Sequence, residues 1–102
     1  MALLEQFAAR KLPSSVTPHS RLEVRARGND VTLTELRPYV MDRKQETDHP
    51  VARFHYEQDG RWRLFWPRHE GGWCEYERVP PSRDPTLLVR ELEADPTHIF
   101  WG

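Results

Sequence analysis

The apolar residues at the start of the chain repeat with the period of an α-helix. They are Leu3, Leu4, Phe7, Ala8 and Leu12. Residues three and four apart share one helical face, so this spacing predicts an amphipathic helix of about ten residues that ends at Pro13. Residues 13–20 contain two prolines and three serines around one valine, and this composition predicts a loop.

The period then changes from that of a helix to the alternation of a β-strand. Leu22, Val24 and Ala26 alternate with charged residues and lead to Gly28-Asn29, which precedes the apolar-rich run 31–34. A two-residue turn with glycine at its first central position is typical of a β-hairpin. This turn sets Ala26 opposite Val31 and Val24 opposite Leu33, so that one face of the hairpin is apolar.

The segment after this hairpin loses its apolar pattern. Pro38 either closes the second strand or marks it as an edge strand, because proline lacks the N–H that a strand ladder needs. Residues 41–50 are almost wholly polar, and we predict that they form a mobile loop.

The strongest alternation lies in residues 51–66. The residues expected on the inner, apolar face are Ala52, Phe54, Tyr56, Trp62, Leu64 and Trp66. A three-residue loop at 58–60, with Gly60 in the left-handed conformation, keeps these residues on one face by pairing Tyr56 with Trp62 and Phe54 with Leu64. We therefore prefer it to a two-residue turn, and we expect Trp62 and Trp66 in the core.

A third strand of this meander is predicted from Trp73 to about Arg78, after the turn at Glu70-Gly71-Gly72. If Trp66 faces Cys74 and Leu64 faces Tyr76, Trp73 lies on the opposite face of the sheet.

A second helix is predicted after Pro80-Pro81. Asp84 is a typical N-cap and Pro85 a typical first helical residue, while Asp95-Pro96 ends the helix. Its buried stripe is Leu88, Val89 and Leu92. We expect the apolar end of the chain, Ile99-Phe100-Trp101, to pack on its own domain. The predicted fold class is α+β: one domain over residues 1–102, with a five-stranded, mainly antiparallel sheet (a hairpin plus a three-stranded meander), an N-terminal helix and a C-terminal helix.

Composition narrows the classes of function. A net charge of −1 and a pI near 6.5 give no overall basic footprint for nucleic acid, although residues 10–44 carry a net charge of +4. No apolar run has the length of a membrane span, and the start of the chain has no signal-peptide pattern. The single cysteine, Cys74, fits a reducing compartment, so a cytoplasmic protein without membrane contact is expected. The chain holds four Trp, and 13 Arg against two Lys, and Trp and Arg are residues that anchor interfaces.

The sequence contains no strong signature of catalysis or metal binding. Its five histidines form no H-x-H or H-x3-H pair, and Cys74 has no cysteine neighbour, so we predict no metal site and no cofactor. On the predicted apolar face, Cys74 is an inert thiol rather than a nucleophile. A small enzyme therefore requires a pocket that brings His55 or His69 together with a carboxylate.

The outer face of the meander is the candidate binding surface. Its predicted site residues are Arg53, His55, Arg63, Phe65 and Trp73, with Glu75 nearby. Three interpretations are open: one of the helices or the C-terminal tail covers this face as part of the core, the face binds a protein partner, or it stacks unpaired bases of single-stranded nucleic acid. Five arginines against five acidic residues in residues 51–79 disfavour nucleic acid. We expect a non-catalytic protein-interaction module that is a monomer or a homodimer.

Several short segments together resemble a known family. They are Arg25-x-Arg27-Gly28 with Val31-Thr32-Leu33, Glu35-x-Arg37-Pro38, Pro50-Val51-Ala52-Arg53-Phe54, Trp62-x-Leu64-Phe65-Trp66, Pro80-Pro81-Ser82 and Asp95-Pro96-Thr97-x-Ile99-Phe100-Trp101-Gly102. Over roughly residues 20–102 the chain resembles a bacterial family of small proteins known only as a domain of unknown function, number 3024 in that series. Relative to that family, His98 stands where glycine is usual and the N-terminal region is shorter. The resemblance implies a bacterial, cytoplasmic, single-domain protein, and it brings no catalytic residue, ligand or partner.

Overall fold

The computed structural model describes residues 1–11, 20–39 and 41–101. Within them the elements are α1 (Ala2–Lys11), β1 (Arg21–Arg27), β2 (Asp30–Tyr39), β3 (Asp42–Tyr56), β4 (Trp62–Pro67), β5 (Trp73–Glu75) and α2 (Pro85–Ala94). The five strands form one antiparallel sheet in the order β1-β2-β3-β4-β5. The predicted α+β class is confirmed. The predicted loop at 13–20 and the stop at Pro13 lie outside the described residues, except for Ser20.

Both predicted turn registers are confirmed. In the first hairpin Ala26 pairs with Val31 and Val24 with Leu33, and Gly28 has a φ of 59° that suits the first position of a two-residue turn. In the second hairpin Tyr56 pairs with Trp62 and Phe54 with Leu64. Gly60 there has a φ of 86°, as a three-residue loop with a left-handed glycine requires. Val31 of the first hairpin also pairs with Phe54 of the second, so these paired apolar residues of the four strands share one face, which we call the inner face.

The prediction of a mobile loop at 41–50 is wrong, because residues 42–50 belong to β3 and pair with β2. The segment has no apolar alternation because its stabilising contacts are ionic. Glu46 accepts two hydrogen bonds from Arg21 at 3.1 and 2.9 Å, and Asp48 accepts one from Arg25 at 3.1 Å. These ion pairs join β1 to β3 across β2, where Leu36 and Thr34 on the same face are each 3% exposed. Arg21 pairs with Leu36 across the two strands, so its side chain projects from the same face beside Leu36.

Pro38 occupies a strand position that tolerates proline. It pairs with Glu46 of β3, while the described part of β1 begins at Arg21, opposite Leu36. Beyond Leu36, β2 is therefore paired on one side within the described residues, and the absent N–H of Pro38 costs the ladder little. β2 ends at Tyr39, so Pro38 lies where the strand closes, but β2 lies between β1 and β3 and is not an edge strand of the sheet.

The core lies between the inner face of the sheet and the two helices. Its side chains are Leu4, Phe7, Ala8, Val31, Leu33, Val51, Ala52, Phe54, Leu64, Tyr76, Leu88, Val89, Leu92 and Phe100. All three residues of the stripe predicted for α2, Leu88, Val89 and Leu92, belong to this core. Trp62 and Trp66 are on the inner face as predicted, but each is only half-buried and packs against the margin of the core, so their assignment to the interior is wrong.

The third strand of the meander is shorter than predicted. β5 ends at Glu75 rather than near Arg78, although Trp66 pairs with Cys74 as expected. One further ladder bond follows, from the Tyr76 N–H to the Leu64 carbonyl at 2.8 Å.

Helix α2 and the end of the chain form one unit. The Asp84 carboxylate accepts the Thr86 N–H at 3.0 Å, which confirms the N-cap. At the other end, Asp95 adopts a left-handed conformation, and its carboxylate accepts the N–H groups of Phe100 at 3.1 Å and Trp101 at 2.8 Å. The Trp101 indole donates to the Leu92 carbonyl at 2.9 Å. The terminal aromatic residues thus pack on their own domain, as predicted.

Candidate functional site

The five predicted site residues lie on one face of the sheet, opposite the core. Across the strands, Arg53 pairs with Phe65 and His55 with Arg63, while Trp73 pairs with Pro67 on the same face. Cross-strand partners share a face and side chains alternate along each strand, so all five project from the outer face. We call Arg53, His55, Arg63, Phe65 and Trp73 the outer-face cluster.

The two helices do not cover the outer-face cluster. The buried side chains of α1 and α2 belong to the same core as Val31, Leu33, Phe54 and Leu64 of the inner face. Both helices therefore pack on the inner face, and all five cluster residues are only partly buried. The interpretation in which a helix covers this face is wrong.

Arg53 and Trp73 form the centre of the cluster. The Arg53 guanidinium carbon lies 4.5 Å from the centroid of the Trp73 ring, within the range of a cation–π interaction. Its Nε donates to the Thr32 hydroxyl at 3.3 Å. Arg53 has no carboxylate partner among the described side chains. Its guanidinium is therefore oriented by an aromatic ring and a hydroxyl.

Arg63 contrasts with Arg53 because carboxylates flank it on both sides. Its Nε donates to Glu57, and its Nη1 donates to Glu75 at 2.8 Å. These two hydrogen bonds raise the pKa of the Arg63 guanidinium above its ordinary value. Arg63 is thus held within the protein's own ion pairs and is less available to a ligand than Arg53.

His55 pairs with Asp30, the residue opposite it on β2. The His55 Nδ1 lies 2.7 Å from the Asp30 Oδ1, and the two side chains are 37% and 36% exposed. A carboxylate that accepts a hydrogen bond from Nδ1 fixes the orientation and the tautomer of the imidazole ring. The pair combines the histidine and the carboxylate that an enzyme would require, and both side chains are partly exposed on the outer face of the sheet.

The charges around the cluster nearly cancel. Arg53 and Arg63 supply two positive charges, while Asp30, Glu57 and Glu75 supply three negative charges, giving a net charge of −1 with neutral His55. A surface that binds nucleic acid gains most of its affinity by neutralising phosphates. This balance is better suited to a protein surface of mixed charge.

The sequence pattern did not identify the partners of the cluster. Thr32, Asp30 and Glu57 reach the cluster from β2 and from the loop after β3. The register of the neighbouring strands is the signal that could have located them, because Thr32 pairs with Arg53 and Asp30 with His55.

The sequence pattern also missed an aromatic cleft at one end of the inner face. The rings of Tyr56 and Trp62 lie 4.9 Å apart and border a cleft of about 200 Å³ with Gly28, Asn29 and Val31. Tyr56 is 41% exposed. The predicted pairing of Tyr56 with Trp62 already implied the contact between the two rings, but it did not reveal the cleft that they border with the turn at Gly28-Asn29.

Two other findings bear on the class of protein. In residues 1–11, 20–39 and 41–101, no group of three or more His, Cys, Asp or Glu side chains could hold a metal ion. Neither described helix is long and apolar enough to cross a membrane.

The fold and the site define a small α+β domain with a partly aromatic sheet face that neither described helix covers. The family model described as domain of unknown function DUF3024 matches residues 2–102, and the chain belongs to this family. The match includes the N-terminal helix, which lies outside the segments that carry the sequence resemblance. Neither the curated proteins nor the solved structures contain a match to the chain.

Proposed function

We propose that this domain is a non-catalytic protein-interaction module of the bacterial cytoplasm, and that the outer-face cluster binds its partner. The observation that carries the proposal is the stack of Arg53 on Trp73, beside Phe65, on a face that the helices leave uncovered. Trp and Arg side chains contribute a large share of the energy in protein interfaces. The side chains are also held in place before binding, which lowers the entropic cost of association.

The ion pairs on this face support a protein partner. Arg63 with its two carboxylates and His55 with Asp30 form a polar surround of the Arg53–Trp73 stack. An apolar or aromatic centre with a hydrogen-bonded polar rim is the usual anatomy of a protein interface.

The test is affinity capture with the full chain as bait, comparing Trp73→Ala and Arg53→Ala with Leu87→Ala. Leu87 is an exposed apolar residue of α2, 51% exposed, and is the control for a change in surface hydrophobicity away from the cluster. We expect the same proteins to be captured by the native chain and by Leu87→Ala, and to be lost with both cluster variants. Circular dichroism must show that all variants are folded. Capture that is equal for all four baits would contradict the proposal.

Single-stranded nucleic acid is the alternative ligand, and the Arg53–Trp73 stack is the observation that favours it. An exposed aromatic ring beside a guanidinium stacks unpaired bases, at about 1–3 kcal/mol per base. Fluorescence anisotropy with a labelled oligothymidylate tests this alternative. Binding at low salt that weakens in Arg53→Ala and has a smaller salt dependence there would replace the protein-interaction proposal, and the absence of binding at low salt would exclude the alternative.

A further inference from the structure

The outer edge of β1 carries backbone groups that the described residues leave unpaired. In an antiparallel hairpin with a two-residue turn, the residues that flank the turn exchange hydrogen bonds, and alternate residues after them point their N–H and C=O groups away from the partner strand. With Arg27 paired to Asp30 next to the turn, the outward residues of β1 are Ala26, Val24 and Leu22. None of these three makes a backbone hydrogen bond to another described loop or turn. β1 is also the first strand in the sheet order, so no strand among residues 1–11, 20–39 and 41–101 pairs with this edge.

A groove runs beside this edge. It has a volume of about 320 Å³ and is lined by Glu5, Ala8 and Ala9 of α1 and by Leu22, Glu23 and Val24 of β1. Leu22 and Val24 are half-buried. The small alanine side chains of α1 leave space at the strand edge, so an added strand could extend the sheet and place its inner-face side chains beneath the helix.

We propose that the occupant of this edge is β1 of a second copy of the chain, added antiparallel about a two-fold axis at Val24. In this register Val24 faces Val24 of the second copy, and Leu22 faces Ala26. These outward residues would exchange the hydrogen bonds that the free edge lacks. A two-fold axis makes the contact self-complementary and closed, which is the commonest symmetry of soluble oligomers.

Charge complementarity is the argument for a second copy over another strand. The same register places Glu23 opposite Arg25 of the second copy, twice, on the face opposite the groove. These are positions without direct backbone bonds, where opposing side chains approach most closely. Glu23 and Arg25 already bind each other within one chain, with Nε to Oε1 at 2.7 Å, so both are held on this face. Arg21 faces Arg27 at each end of the contact, where the charge of Arg21 is balanced by Glu46 at 2.9 Å.

This interface is independent of the proposed function, because the outer-face cluster lies on β3, β4 and β5 and remains open in both copies. In sedimentation equilibrium, the apparent molecular mass of the native chain is expected to rise with concentration from 12.1 kDa to twice that value. Val24→Pro removes an outward N–H without breaking a bond to β2, and it is expected to abolish the rise. A native chain that stays monomeric at millimolar concentration would overturn the proposal.

Charge reversal tests the register without relying on Val24→Pro. Glu23→Arg alone and Arg25→Glu alone each place like charges opposite one another, so each variant is expected to be monomeric. In an equimolar mixture, a copy with two arginines at positions 23 and 25 meets a copy with two glutamates there, so opposite charges face each other again and the dimer is expected to recover. Arg37→Glu reverses a charge that pairs with Glu35 at 2.8 Å, away from the edge, and it is the control that should dimerise like the native chain. Two results would show that this edge does not join the copies. Either both single variants dimerise as tightly as the native chain, or the equimolar mixture fails to form the dimer.

Discussion

Substitution of Asp95 tests how the end of the chain is attached to α2. The residue is 5% exposed and has two separate roles. Its backbone is left-handed, with φ of 44° and ψ of 56°, which ends the helix. Its carboxylate accepts the N–H groups of Phe100 and Trp101 at 3.1 and 2.8 Å.

The two roles of Asp95 predict the order in which three variants lose stability. Hydrogen bonds to a charged acceptor contribute about 1.5–3 kcal/mol each, so removing both with Asp95→Ala is expected to lower the free energy of unfolding by about 3–6 kcal/mol. Asp95→Gly loses the same two bonds but relieves the left-handed backbone, which recovers about 1 kcal/mol. Asp95→Asn keeps one acceptor oxygen and tolerates the left-handed conformation, so it is expected to lose least, about 1.5–3 kcal/mol.

The assay is urea unfolding followed by circular dichroism, with the denaturant slope checked for each variant. Indole fluorescence reports on the same transition, because the Trp101 ring lies against Phe7 in a tilted arrangement, with 6.1 Å between the ring centroids. Two results would refute the reasoning: a loss below about 1 kcal/mol in Asp95→Ala, or an Asp95→Gly variant no more stable than Asp95→Ala.

Three further predictions concern other parts of the fold. His98 has a φ of 59°, so His98→Gly is expected to raise the free energy of unfolding by about 0.5–1 kcal/mol while His98→Ala does not, and a stabilisation by both would contradict the backbone explanation. Leu36→Ala is expected to cost about 2–4 kcal/mol in urea unfolding, because Leu36 is 3% exposed beneath the ion pairs of β1 and β3, and a loss typical of a surface residue would show that these pairs do not cover it. The Thr86 hydroxyl and N–H lower the pKa of the Asp84 carboxyl below its ordinary value of 3.8. Its stabilisation is therefore present above pH 3.8 and is lost as the pH falls through the lowered pKa, so Asp84→Asn should weaken the decline in stability below pH 4, and an unchanged decline would contradict this.

The elements with a local signal were predictable from the sequence. Gly28 and Gly60 determine the loop lengths, and the loop lengths determine which apolar residues face each other. Asp84 and Pro85 mark the start of α2 for an equally local reason, since the cap bond spans two residues. The common face of Arg53, Phe65 and Trp73 follows from the strand period and the register together.

The features that could not be predicted depend on contacts between residues that are distant in the sequence. Residues 42–50 form a strand because Arg21 and Arg25 bind Glu46 and Asp48, and a polar run without alternation contains no sign of partners 23 and 25 residues away. The contrast between Arg53 and Arg63 is of the same kind. Both arginines precede an apolar inner-face residue and look equivalent in the pattern, but the loop after β3 brings Glu57 to one of them only.

The meander topology has a consequence for the order of folding. Each strand pairs with the strand next to it along the chain, so sheet formation closes short loops, and proteins rich in such contacts fold rapidly. The contact of α1 with the end of the chain, through Phe7 and Trp101, closes a loop of more than ninety residues. If this contact between Phe7 and Trp101 forms after the folding transition state, a substitution that weakens it accelerates unfolding and leaves the folding rate unchanged. The contact between the two ends of the chain would then determine how long the native state persists. The hairpins would determine how fast the native state forms.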